Sequence, residues 1–184
     1  DEVIGKLRTD QIQAMNSDQI KALSSTQVGV LTSDQLNALT SGQLQAIETA
    51  DIPAITTSTL VAISTNQINN LTSLQISALS TEQVSYLSVT QVSNLGLEQI
   101  KGLENQDITA FTSTQVGSLT SDQLNALTSG QLQAIDPEDI PAIAVEKLIA
   151  LDSKQLNNFT SEQLNKLTVE QRGALTDAGF FPTE

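Results

Sequence analysis

The densest group of side chains able to do chemistry is acidic: Asp136, Glu138 and Asp139 fall within four positions. Carboxylates this close can converge on Ca²⁺, but such a site needs six or more oxygens. Neither the DxDxDG loop nor a glycine-rich nonapeptide is present to supply them. Pro137 directly after Asp136 fits the first position of a helix, so capping accounts for the cluster. The chain has no His, Cys or Trp. This removes the common nucleophile and base pairings, His or Cys zinc sites, and haem ligation by either residue. Carboxylate-only catalysis would need two acids meeting in a pocket, whereas most acids here stand where helices should start. The expectation is a protein that is not an enzyme and carries no cofactor and no metal.

The remaining polar chemistry is amide and hydroxyl, and it recurs every eight residues. In rows of eight starting at positions 8, 16, 24 and onward, the chain reads Ser/Thr, Ser/Thr, acidic, Gln, Ile/Leu/Val, any residue, Ala, Leu, without a gap. Gln fills its column at 16 of 22 places, too often for chance. The column after it is aliphatic except at Arg172, and the column from Leu7 to Leu175 is apolar throughout. LTSDQLNALTSGQLQAI at 31–47 returns unchanged at 119–135, and residues 26–55 match 114–143 at all but four positions. An eleven-octad block duplicated over a shorter repeat explains the echo.

Thr32 with Gln35, Thr72 with Gln75, Thr120 with Gln123 and Thr160 with Gln163 read as capping boxes, as does Ser80 with Gln83. In each, the hydroxyl accepts from the third helical N–H while Gln returns to the cap's own N–H. Acids such as Asp34, Glu82, Asp122 and Glu162 suit the positive end of a helix. Pro53 and Pro141 fall inside the expected helices, and the reading is that Asp51 and Asp139 take over there as caps of later-starting helices.

Apolar spacing of three, then five, would wind a continuous helix's stripe around the rod, and strict strand alternation is absent. The predicted fold is therefore all-α: an elongated superhelical solenoid of short capped helices, one per octad, over 1–175. The two aliphatic columns face its core, and the Ala column (Ala14, Ala38, Ala62, Ala78, Ala126, Ala150) permits close approach of neighbours. Residues 176–184, with Phe180, Phe181 and Pro182, read as a divergent C-terminal cap or junction. A second hydroxyl column, Thr9, Ser33, Ser41, Thr65, Ser73, Thr81, Ser121 and Ser161, is expected to face solvent. The Gln amides have capping as their expected role, with bonds between coils as an addition. Asn70-Leu71-Thr72 and Asn158-Phe159-Thr160 match the glycosylation sequon, but arise automatically from the columns.

A net charge of −13 argues against nucleic acid and anionic membranes as partners, and no run is long enough for membrane insertion. Absence of Cys leaves the redox compartment open. Starting at Asp1, already in register, the sequence reads as part of a longer tract.

The rows LTSDQLNAL, LTSEQLNKL, LSTEQVSYL and LTSLQISAL resemble the Leu-Thr-x-x-Gln-Ile-x-x-Leu octad tracts of very large secreted or surface-exposed bacterial repeat proteins of the adhesin-like kind. The resemblance covers about residues 1–175. It implies placement at the bacterial cell surface or outside it, and a role as stalk, spacer or scaffold beside flanking repeats of the same chain. The alternative is a binding module using the Ser/Thr/Gln face for a protein, glycan or ice.

Overall fold

The computed structural model describes residues 2–181. Among them lie twenty α-helices and two 3-10 helices, each four to nine residues long, and no strand. This is a helical repeat solenoid with one short helix per octad. In Ser33–Ala38, for example, the helix is followed by Leu39 (φ −64°, ψ 141°) and Thr40 (φ −68°, ψ 161°), both extended, before Ser41–Ala46 begins. The break is local chemistry. Thr40 Oγ1 accepts from Gln43 N, which commits the chain to a new helix before the old one can continue.

A five- or six-residue helix is too short to be stable alone. Stacking supplies what is missing. One continuous core runs from Ile12 to Leu175 and takes both aliphatic columns: Leu36 and Leu39, Ile76 and Leu79, Leu124 and Leu127 are all buried. Phe180 and Phe181 pack partly buried against its C-terminal end. The final helix, Val169–Asp177, carries the chain across the join between the repeat and the divergent tail. Pro182 and the two residues after it lie outside the described residues.

Two offsets set the winding. Each helix packs on the one three octads away: Ser73–Ser77 on Leu97–Gly102, and Ser113–Ser118 on Pro137–Ala142. Its Gln, however, reaches 28 and 31 residues back, into the fourth octad before it. A helix thus sits between the third and fourth octads beneath, giving three to four octads per turn. That number was out of reach from the sequence.

Two expectations are corrected. In the proline-containing rows the helix does not start late, and neither Asp51 nor Asp139 is a cap. Thr49–Ala54 and Pro137–Ala142 begin in register behind Glu48 and Asp136, and both aspartates lie in the first turn. These rows are 3-10 helices because the proline ring would collide with the carbonyl four residues back. Next, the second hydroxyl column is not a uniform solvent face. Thr9, Ser41 and Ser161 are exposed, whereas Ser33, Thr65, Ser73, Thr81 and Ser121 are half-buried, since the first helical turn lies against a neighbouring coil. The Ala column is exposed at Ala14, Ala62 and Ala150, but it permits close approach of coils at Ala54 and Ala142, as expected. There Gly29 and Gly117 lie so near that an added Cβ would stand 2.9 and 2.8 Å from the carbonyls of Ala54 and Ala142; Gly5 and Gly102 approach Val30 and Ser73 as closely.

Candidate functional site: the buried glutamine ladder

The capping residues form reciprocal pairs. Thr32 Oγ1 accepts from Gln35 N at 3.2 Å, and Thr32 N donates to Gln35 Oε1 at 2.9 Å. The same exchange joins Thr72 to Gln75, Thr120 to Gln123 and Thr160 to Gln163. Each pair satisfies two helix-start N–H groups that otherwise have no partner.

Capping uses only half of each amide. The Nε2 end crosses to the preceding coil, where Gln75 donates to Leu44 O at 3.0 Å and Ile47 O at 2.8 Å. Gln123 donates likewise to Val92 O and Leu95 O, and Gln163 to Leu132 O and Ile135 O. Gln35 reaches Ile4 O and Leu7 O. The acceptors lie at the C-terminal side of a short helix: one of each pair, such as Leu44 O, already takes a bond from Ile47 N, whereas the other, such as Ile47 O, has no backbone donor. A single buried side chain therefore starts its own helix and finishes one in the coil below. Bonding between coils runs from amide to backbone, without amide-to-amide stacking. No buried side-chain polar atom among the described residues lacks a partner.

Four rows without Gln join coils by other chemistry. Asp51, Asp107 and Asp139 are buried and cannot donate when ionised; they accept instead from Ser25, Thr81 and Ser113, 26 residues earlier. Lys147 stands in for Gln by donating its Nζ to Gly117 O at 2.7 Å. Two rows are rewired alike. Ser64 N donates to Asn37 Oδ1 and Asn70 Nδ2 to Gln67 Oε1, while Asp152 N donates to Asn125 Oδ1 and Asn158 Nδ2 to Gln155 Oε1. Both sequon asparagines are thereby half-buried and occupied within the fold.

The acidic cluster disperses. Asp136 caps the Pro137–Ala142 helix through Glu138 N, Glu138 pairs with Lys166, and Asp139 takes the Ser113 hydroxyl. Among the described residues no group of three or more acids is arranged to hold a metal ion, and no helix is long and apolar enough to cross a membrane.

Bonds between coils were expected as an addition to capping, but that their acceptors are backbone carbonyls was not legible, because capping alone already explained the Gln column. The Asp–hydroxyl pairs left no distinctive trace either, since Ser or Thr also precedes many Gln residues by 26 positions.

A family model described as the ALTTAQ repeat matches residues 4–41, 44–81 and 100–137, more than half the chain. The chain belongs to the ALTTAQ repeat family. No curated protein matches it. The six letters of the name run here as ALTSGQ at 38–43 and 126–131, from the Ala column through the core Leu and capping Thr to the ladder Gln. Each ALTTAQ window also opens on a carbonyl of the ladder and includes the Gln that closes on it: Ile4 with Gln35, Leu44 with Gln75, Ile100 with Gln131. The ALTTAQ match and the hydrogen bonding thus mark the same unit, one closed coil.

Proposed function

We propose that this tandem-repeat scaffold is the stalk or spacer of a large secreted or surface-exposed bacterial protein of the adhesin-like kind, holding another module away from the cell. The observation that supports it is the constancy of the ladder. From Gln35 to Gln171 every Gln of the column closes on carbonyls 28 and 31 residues back, except Gln43 at 28 and 30, so octads are interchangeable and adding them extends the solenoid along its axis. The polar groups that recur in every row are spent on capping and on joining coils. The tract is non-catalytic in this reading, and its strong negative charge keeps nucleic acid and anionic membranes away.

The 88-residue echo supplies the test. Residues 32–119 can be duplicated in register, since Leu31 and Leu119 hold the same column and each precedes TSDQL. Small-angle scattering on the chain with no, one and two extra blocks should give equal increments in maximum dimension at constant cross-section. Growth as roughly the 0.38 power of chain length, the behaviour of a globule, would sink the proposal.

A further inference from the structure

Asp107 is 3% exposed and heads no ion pair. Its Oδ1 accepts from Thr81 Oγ1 at 3.0 Å and its Oδ2 from Glu104 N at 2.9 Å. A Gln at this position would donate to the carbonyls of Ile76 and Leu79, but a carboxylate has no proton to give. The titratable groups around it are Glu104 at the start of its own helix, and Glu82 and Tyr86 on the packed helix Thr81–Tyr86; the other packed helix, Ser129–Gln133, brings none. No cation among these neighbours offsets the charge.

We propose that the row Asn105–Thr109 is an acid-tightened joint in the solenoid: ionised Asp107 weakens the seam to Thr81–Tyr86 at neutral pH, and its protonation seats the row more firmly. Burial pushes the Asp107 carboxyl above the ordinary carboxylate range, and the Glu104 charge acts in the same direction; the Glu104 N–H and Thr81 hydroxyl oppose them. The folded chain therefore binds this proton more tightly than the unfolded chain. Stability from this group is greatest at low pH and declines as pH rises from the unfolded carboxyl value, near 3.8, through the raised folded value, above which it stays at the lower level.

The test compares the whole chain with Asp107→Gln, which restores the consensus residue, and with Asp107→Asn as a shorter neutral control. Thermal midpoints are taken from pH 7 to pH 4 at fixed ionic strength, so that acids elsewhere contribute equally to all three chains. The expected result is a stability gap between either variant and the parent that changes in the parent's favour as pH falls. Amide exchange at Ile108, Thr109 and Ala110, corrected for the intrinsic rate, should slow in the parent by about tenfold for each unit by which folding raises the carboxyl. It should stay flat in the variants. A gap independent of pH, or parent protection at these amides that does not rise in acid, overturns the proposal.

Discussion

The rows holding Gln75 and Asp51 occupy equivalent places in the solenoid and solve the same problem with opposite polarity. Gln75 donates backward to Leu44 and Ile47, and its own helix, Ser73–Ser77, is α. Asp51 accepts from Ser25, three octads before it, and its helix, Thr49–Ala54, is 3-10 around Pro53. The packing changes with the bonding. Gly29 brings the Ser25–Gly29 helix so close to this row that a methyl group would meet the Ala54 carbonyl. The second block repeats the arrangement with Ser113, Gly117, Asp139 and Pro141. The coil thus depends on satisfying each row's polar groups and filling its space, and not on Gln itself.

The sharpest way to break this equivalence is to remove a donor in one row type and an acceptor's partner in the other. Gln75→Leu keeps the volume but leaves Ile47 O and Thr72 N without their partners, and should cost about 2–4 kcal/mol in urea unfolding. A loss below about 0.5 kcal/mol would show that the ladder contributes nothing to stability. Ser25→Ala should cost about 2 kcal/mol, because a buried carboxylate loses its hydroxyl donor. Ser33→Ala, in the same column beneath Thr59, should stay within about 0.5 kcal/mol; equal losses for the two serines would erase the distinction between row types. The smallest effects differ in sign. Gly117→Ala forces a methyl group to 2.8 Å from the Ala142 carbonyl and should lose about 1 kcal/mol despite the better helix former. Gly42→Ala meets nothing within 4 Å and should gain about 0.5 kcal/mol by melting temperature.

Much of the architecture was legible in the sequence, because the period of eight couples a capping signal to a core signal. Thr-x-x-Gln announces where each helix starts, and the apolar pair three and five residues apart shows that no single helix can bury both columns continuously. What stayed hidden depends on distances between coils. Nothing in Ser25 or Asp51 states that they meet, because the pairing requires knowing how many octads make a turn. Asn37 and Asn70 look like surface substitutions, yet together they replace a capping bond. The 3-10 rows were misjudged because Pro53 was assumed to delay its helix, when narrowing the helix lets it begin on time.

The bonds that join one coil to the next have a mechanical consequence. They link successive turns, so a pull along the solenoid axis loads them one turn after another, as links in series. Because the rungs overlap, a turn is freed only when all the amides spanning it, such as Gln67, Gln75, Gln83 and Gln91, let go; the 28 residues between one Gln and its carbonyl are then available as slack, about 90–100 Å of contour length if fully drawn out. The neighbouring turns keep their own amides closed meanwhile. In the spacer role proposed above, the solenoid would lengthen in instalments under load and rewind on release, absorbing a jolt that a rigid strut would pass on.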